Sequence, residues 1–581
     1  MSEEPLPIEE TDEMEPIEIG SPVPNGHDSD PPPAPDLAVL DGLADRVRVA
    51  PSALFAPDVV AALVHVRATD RGRFADLRAE IKATRAVPIK DFDDLARGQP
   101  EDGRDDSQAD QLIAIADGAD LFHAADGVSY VDVEIDDRRE TWPVRSRGFR
   151  RWLSARYYAE TGGAAHDGAL ESALNVFDAR AQYEGDERVV GVRVGRSDDV
   201  DGRIFLDLAD EDWKAVEIDS EGWRVVESPP ARFRRSAGMR PLPEPVRGGD
   251  LRRLRRLVNV STEADFVLLV SWLVACLRDR GPYPALIFLG EQGTGKSTAS
   301  GVARGLVDPN SAPLRTAPKD VRDLFIAAMN SHVMAWDNLS GIAPWLSDAL
   351  CRLATGGGFA VRSLWTDGDE TLFDACRPNI LNGIEDVVTR PDLADRSIFV
   401  RLEPIPDEDR RPESELWADF NAERPALLGA LLDLVSAGLR ALPTMNPPAL
   451  PRMADFELWA AACETGAPWL AGDFQAAYAE NRARAIDDVI ENDRVASAVR
   501  LLVAERGVWT GTMAELLEDL GRVAGEGATH PKSWPQSPRG LTGRLARAST
   551  FLRTVGIEID RGERASDRSR SRIVTLRRVG E

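Results

Sequence analysis

The sequence predicts a multidomain α/β protein, and three observations predict it. Its 581 residues exceed what one hydrophobic core supports, roughly 250–300 residues. Ala285-Leu286-Ile287-Phe288-Leu289 is a short, wholly apolar strand of the buried type, followed at once by a glycine-rich loop and a helical pattern. Residues 284–402 then alternate helical and apolar strand patterns, as a sheet covered by helices requires.

Residues 1–36 hold eleven acids, no Lys or Arg, and the run Pro31-Pro32-Pro33-Ala34-Pro35. So little apolar surface cannot form a core, and a disordered tail is expected. Residues 37–110 read as short amphipathic helices ending in a polar linker from Gly98 to Asp110. Residues 111–250 read as an α+β accessory domain, with hairpin strands over Leu121 to Val144, helices over Gly148 to Thr161 and Ala169 to Tyr183, and alternating strands to Val226. Asp132, Glu134 and Asp136 alternate there; an exposed acidic strand face is the expectation, and a metal-binding acid pair the alternative. The core spans 251–405, a helical lid or connector 406–489, and the last domain 490–581.

Composition sets limits. With 43% hydrophobic and 29% charged residues the chain is an ordinary globular one. The longest apolar run, Phe266 to Leu277, is too short for a membrane span of about 20 residues, and the acidic N-terminus is no secretory signal. Cys276, Cys351, Cys376 and Cys463 form no C-x-x-C pair, so no zinc site or disulfide framework is read and a cytoplasmic setting, bacterial or in a phage-infected host, is expected. A net charge of −28 excludes a whole-surface DNA binder, yet residues 531–581 carry twelve Lys/Arg against five acids.

Gly290-Glu291-Gln292-Gly293-Thr294-Gly295-Lys296-Ser297, followed by Thr298, fits G-x-x-x-x-G-K-[ST] at every fixed position. Glycines let backbone N–H groups turn inward around phosphates, and the helix that starts there adds its positive dipole end. Lys296 is placed to reach β- and γ-phosphates, and the Ser297 hydroxyl to ligate Mg²⁺. ATP with Mg²⁺ is therefore the expected cofactor. His332-Val333-Met334-Ala335-Trp336-Asp337 supplies the carboxylate that a magnesium site needs, Asp337. The next residue is Asn338, which orients water but takes no proton; Glu291, Glu385 and Asp374 stand as alternative bases. The strand Pro378-Asn379-Ile380-Leu381 ends at Asn382, placed to hold the lytic water. Beyond it, Arg390 and Arg396 either reach a neighbour's γ-phosphate or pair locally with Asp392 and Asp395. Between Asp337 and Asn382, Thr355 to Trp365 and Asp367-Gly368 give a hairpin signal.

This order of motifs resembles the superfamily III helicase module, an AAA+ subclass, of phage and poxvirus-type primase-helicases, and ATPases of actinobacterial phages and integrated elements. The resemblance covers residues 250–405. It implies a ring, usually a hexamer, with ATP between subunits, and a hairpin gripping single-stranded DNA. It assigns ATP to Gly290 to Ser297, magnesium to Asp337, γ-phosphate sensing to Asn382 and action in trans to Arg390 or Arg396. Two departures stand out. Asn338 replaces a second acid, and the hairpin tip Thr366-Asp367-Gly368-Asp369-Glu370 is acidic, leaving Arg362 as the nearest basic residue. No primase half is read, so a primase or other replication partner is expected to be separate.

Thr512 to Leu520 and Pro538 to Thr554 read as helices, and Ile557 to Asp560 and Ile573 to Leu576 as a ribbon with an Arg-rich tip, a winged-helix-like pattern. Arg539, Arg544, Arg547 and Arg553 fall on or near the second helix, and Arg564, Arg568, Arg570 and Arg572 in the wing; such arginines suit DNA phosphates. The leading expectation is an ATP-driven DNA motor or loader for mobile-element replication. The alternatives are a slow ATP-dependent assembly switch and a DNA-tethered regulatory or defence ATPase.

Overall fold

The computed structural model describes residues 35–97, 107–357, 359–362, 370–373, 375–383, 388, 390–446, 452–525, 534–564 and 572–579. The expected disordered tail lies outside the described residues except at its last two positions, as do residues 98–106 of the expected linker. The chain divides into two compact units after Ser107.

In the first unit, helices Leu43–Val49, Pro57–Thr69, Arg71–Thr84 and Ile89–Leu95 close around Leu43, Leu54, Leu63, Val66, Ile81 and Phe92. The second unit starts with a helix, Gln108–Ile115, so the polar linker ends earlier than the sequence indicated. Leu112 and Ala116 are buried and draw the polar residues before them into the helix's first turn.

Strands Asp120–His123, Ser129–Ile135 and Arg138–Pro143 form an antiparallel sheet packed on helices Arg147–Thr161 and Asp167–Tyr183. The acidic strand face is corrected here. Asp132 is buried and accepts from Arg232 Nε at 2.7 Å and the Thr141 hydroxyl at 2.6 Å, whereas Asp136 lies in the following turn at φ 50°. Asp132 and Glu134 stand two apart on one strand, but the first is buried and ion-paired and the second exposed, and Asp136 has left the strand; no His/Cys/Asp/Glu group among the described residues is arranged to hold a metal.

A second antiparallel sheet runs Val194–Gly195, Ile204–Asp207, Ala215–Ile218, Trp223–Val226 in chain order. Its Leu206, Val216 and Ile218 enter the same core as Leu268, Val302 and Leu431, so apolar packing runs straight through position 250.

The central sheet has four parallel strands, in the order Met334–Leu339, Asn379–Gly383, Ala285–Leu289, Ser397–Arg401. Helices cover both faces, which is why the strand Ala285–Leu289 is apolar throughout. Leu286 and Phe288 pack with the helices Glu263–Cys276 and Lys296–Val307; Ala285 and Ile287 pack with Val321–Met329 and Pro344–Thr355. Two side chains close the free edge of Ser397–Arg401: Asp265 Oδ1 accepts from the Arg401 N–H at 3.2 Å, and Asn481 takes the middle of the strand. Asn481 accepts from the Phe399 N–H at 3.0 Å and donates to the Phe399 carbonyl at 2.6 Å, standing in for a fifth strand.

The helix Glu413–Ala441 is long and apolar enough to cross a membrane by composition alone. Its apolar face is spent internally: Leu427, Leu428, Leu431 and Leu432 are buried in the core around the Lys296–Val307 helix. The last region comprises helix Arg494–Arg506, strand Val508–Thr512, helices Met513–Ala524 and Pro538–Thr554, and strands Ile557–Arg564 and Arg572–Arg578. The ribbon has three strands rather than the expected two, because Val508–Thr512 pairs with Arg572–Arg578 and buries Trp509.

One ion cluster is sealed inside the second unit. Asp308 follows the Lys296–Val307 helix and is 1% exposed. It accepts from Arg193 Nε and from the His332 and Val333 N–H groups, all at 3.0 Å. Burial opposes its charge, yet Arg193 and Arg304 hold its carboxyl below the ordinary range. His332 donates from Nε2 to the Cys276 carbonyl at 2.6 Å, and burial lowers its pKa to about 4. A histidine depressed in the folded state contributes stability above its unfolded pKa, and that contribution is lost as pH falls toward the folded one. Unfolding free energy is therefore expected to drop between about pH 6.5 and pH 4, by up to about 1.4 kcal/mol per pH unit for this proton. Urea titrations across that range check it, with His332→Gln giving a shallower slope.

Candidate functional site

The sheet carries Gly290 straight off the buried strand end, and the helix begins at Lys296 with Gly295 as its N-cap at φ 82°. Glycine is required at Gly290, where φ is 151°. A Cβ there would meet Thr294 Oγ1 at 2.8 Å and the Leu402 carbonyl oxygen at 2.9 Å. Thr294 is fully buried and its hydroxyl donates to the Glu291 carbonyl at 3.0 Å, pinning the turn. Glu291, Gln292 and Gly293 are exposed at the tip, as is Ser297. Lys296 donates from Nζ to the Gly290 carbonyl at 2.6 Å and the Glu291 carbonyl at 2.7 Å, so its charge is held by two loop carbonyls.

Asp337 leaves the next-but-one strand toward the same place. Ser297 Oγ donates to Asp337 Oδ1 at 2.8 Å, which brings together the two oxygens that the sequence assigned to magnesium. Both are hard oxygen donors of the kind Mg²⁺ takes.

The strand between them carries Asn382, which is buried at 2% exposure. Its Oδ1 accepts from the Asn338 N–H at 2.8 Å, and its Nδ2 donates to Ser300 Oγ at 3.0 Å. Ser300 in turn donates to the Lys296 carbonyl at 2.9 Å. A hydrogen-bonded chain therefore links the backbone beside Asp337 to the start of the loop's helix. Asn338 sits at φ 55° where the pairing register shifts between Trp336 and Leu339. Asparagine tolerates that left-handed conformation better than most residues. Local backbone geometry thus accounts for the asparagine beside Asp337, a reason that a motif comparison does not contain.

Two cavities border the loop. One of about 440 Å³ is lined by Gly293, Thr294, Gly295 and Thr298 on one side and by Val258 and Ile405 on another. The other, of about 530 Å³, touches Gly290 and Glu291 and is lined by the acids Glu403, Asp488 and Glu491. Sequence reasoning missed Arg410, whose guanidinium lies 3.4 Å from a Cβ placed on Gly293 and which lines the first cavity. The pairs Arg255-Arg256 and Arg410-Arg411 were the available signal, since all four line that cavity.

The arginine segment is not beside this loop's own cavities. Arg390 ion-pairs with Asp348 at 2.8 Å and donates to the Pro344 carbonyl at 3.0 Å; Arg396 donates to the Asp392 carbonyl at 2.8 Å. Asp392 and Asp395 pair instead with Arg452, and Asp395 with Arg482. Arg362 falls in the strand Phe359–Arg362, paired antiparallel with Glu370–Phe373. The hairpin tip before Glu370 and the alternative bases Asp374 and Glu385 lie outside the described residues.

On the helix Pro538–Thr554, Arg539, Arg547 and Arg553 are exposed and make no ion pair with any described residue, whereas Arg544 lies 3.8 Å from Asp493. Arg564 and Arg572 face each other across the ribbon in register, and Arg568 and Arg570 lie outside the described residues.

Residues 251–490 match the family described as "Actinomycete integrative conjugative element replication protein", and residues 495–581 match "AICE RepA C-terminal domain". No curated protein matches the chain. Among solved structures, the A-form apo structure of the NrS-1 C-terminal region is 11% identical at a TM-score of 0.36, covering 81% of this chain and 98% of that one. Another apo structure of the same region is 10% identical at 0.35, covering 83% and 100%.

Gly290→Ala is expected to destabilise the second unit by about 1–3 kcal/mol, because the new Cβ meets a backbone oxygen in a strained conformation. Gly543→Ala, in open space within the Pro538–Thr554 helix, should instead stabilise by about 0.5–1 kcal/mol. Thermal melts of the two variants check the opposite signs.

Proposed function

We propose, from the premise that the chain belongs through residues 251–581 to the actinomycete integrative conjugative element replication protein (RepA) family, that it is an ATP-hydrolysing DNA motor or loader for replication of such an element. The observation that carries the ATPase reading is the meeting of Ser297 and Asp337 at 2.8 Å beside a glycine loop that ends on a helix N-terminus.

On this reading the loop N–H groups and Lys296 take the β- and γ-phosphates, with Lys296 exchanging its two carbonyl partners for phosphate oxygens. Ser297 and Asp337 would hold Mg²⁺, which would supply charge neutralisation at the phosphates. Asn382 would report occupancy of the γ-phosphate through its bonds to Asn338 and Ser300. Arg390 or Arg396 would act on the neighbouring subunit's nucleotide within a head-to-tail ring, for which a hexamer is the proposed number. In favour of action in trans, neither lines a cavity of its own chain's loop. The helix–strand–helix–helix–ribbon order of residues 494–578, and Arg539, Arg547 and Arg553 on its third helix, which make no ion pair with described residues, support a winged-helix contact with DNA phosphates.

A slow nucleotide switch is the second reading, and Asn338 favours it, since no acid stands beside Asp337 to take a proton. Hydrolysis is expected to rise with single-stranded DNA and to vanish in Lys296→Ala; coupled phosphate-release assays measure both, and a well-folded oligomer indifferent to DNA would refute the motor reading. Asn338→Glu separates the two readings. The left-handed backbone should cost about 1–2 kcal/mol of stability, read by melting. A large gain in turnover despite that cost identifies the switch; no gain means another residue already activates water.

A further inference from the structure

Two cavities border the phosphate loop, and their charges differ. The one of about 530 Å³ that touches Gly290 is lined by Glu291, Glu403, Asp488 and Glu491 against Arg401. The one of about 440 Å³ carries four arginines, Arg255, Arg256, Arg410 and Arg411, against Asp409 and Glu413. A polyanion is repelled by the first and drawn to the second. Two of the four arginines are committed elsewhere. Arg255 ion-pairs with Glu263 and lies 4.4 Å over the Phe266 ring, and Arg411 pairs with Asp419 at 2.6 Å. The other two are available. Arg256 is exposed and makes no ion pair with any described residue. Arg410 pairs with Asp407 at 3.1 Å, and the two side chains are 58% and 93% exposed. A pair so wet is worth at most about 1 kcal/mol and is cheap to exchange.

The segment that carries Arg410 runs along the loop. Between the strand Ser397–Arg401 and the helix Glu413–Ala441, it brings Ile405 Cδ1 to 3.5 Å from a Cβ placed on Gly295, and Arg410 Nη2 to 3.4 Å from one placed on Gly293. Both glycines have positive φ, 82° and 86°, and neither puts a side chain between the loop and this segment. Lys296, Ser297 and Asp337 do not line the cavity, whereas Thr298, one residue further along the helix, does. On the proposed reading those three residues serve the β- and γ-phosphates and their magnesium. The cavity beyond them is left for the α-phosphate, the sugar and the base, and Val258, Ile405 and Leu416 give it an apolar wall.

We infer that Arg410 and Arg256 bind the α-phosphate of a nucleotide held by their own chain's loop. Arg410 comes to it from the segment along the loop, and Arg256 from the turn before the helix Glu263–Cys276. The inference rests on the proposed nucleotide reading of the loop and adds the two side chains that hold the end common to ADP and ATP. It separates them from Arg390 and Arg396, whose proposed partner is a neighbouring subunit's nucleotide. The α-phosphate is present in substrate and product alike. Loss of either arginine therefore weakens both by the same factor and leaves the chemical step alone.

The test titrates the full chain with magnesium–ADP and with a non-hydrolysable magnesium–ATP analogue by calorimetry, beside steady-state hydrolysis of ATP. Arg410→Gln should raise both dissociation constants about tenfold, the loss of one charge-assisted hydrogen bond. Arg256→Gln should likewise raise the two in equal proportion. KM should rise with them while kcat stays within about twofold of the parent's. Arg410→Lys, which keeps the charge, should recover part of the lost affinity. Both arginines are exposed, so melting temperatures should match the parent's. Loss confined to the ATP analogue, or a fall in kcat at unchanged KM, places the arginine at the γ-phosphate and overturns the inference. Parental dissociation constants for both nucleotides in either variant overturn it for that arginine. A parent chain that binds neither nucleotide overturns the reading of the loop itself, and the inference with it.

Discussion

The carboxylate of Asp308 holds the rest of the second unit in register. It sits where the phosphate-loop helix ends, and it takes its hydrogen bonds from the two residues that lead into the Asp337 strand and from Arg193, just before the strand Val194–Gly195. Three chain segments far apart in sequence are thereby fixed to one point. Arg193 contributes more than its charge, since its other nitrogens donate to the Asp207 and Arg240 carbonyls at 3.0 and 2.8 Å. A buried pair of this kind adds little net stability over an apolar replacement, but loss of one partner strands a charge and costs about 3–5 kcal/mol. Its effect is on specificity: a helix or strand shifted by one residue would leave Asp308 unpaired in the interior.

That registration matters because the distances at the loop are short and depend on both elements. Ser297 belongs to the helix that Asp308 terminates, and Asp337 to the strand that Asp308 starts. Their 2.8 Å contact is set at the opposite end of the same two elements. Between them, Asn382 ties the Asn338 backbone to Ser300, one turn into the helix. A change in where Ser297 and Asp337 sit would be felt at Asn382, and through its strand at the neighbouring Ala285–Leu289 pairing.

What the sequence made legible is what short-range physics determines. The apolar strand, the glycine loop and the helix after it appear where the pattern put them, as do Pro538–Thr554 and the Asp167–Tyr183 helix to within two residues. Pairings across long sequence separations were not legible. Arg193 with Asp308, Asn481 with the Phe399 backbone, and Val508–Thr512 joining the ribbon each depend on tertiary placement. The acids of residues 132–136 misled for the same reason: alternation described the strand, but Arg232, a hundred residues away, decided that Asp132 is buried. Asn338 was read through its side chain alone, as a residue that orients water where a second acid would stand, and its left-handed backbone, invisible in the sequence, supplies a structural reason for the residue.

The local pairing of the arginine segment bears on the proposed action on a neighbour. Arg390 is held by Asp348 and the Pro344 carbonyl, both on the helix Pro344–Thr355 that covers the central sheet. Asp348 is half exposed, so the pair is weak in water and its loss costs little. On the proposed reading, a triphosphate presented by an adjacent subunit competes for the same guanidinium with more charge and a better bidentate geometry. On that reading the aspartate would keep Arg390 oriented while no neighbour is bound. Arg396 lacks that freedom: it is bonded to its own helix's carbonyl, and its Nε is buried without a partner among the described residues. Of the two arginines that the sequence could not separate, Arg390 is the one whose present contacts are cheap enough to exchange.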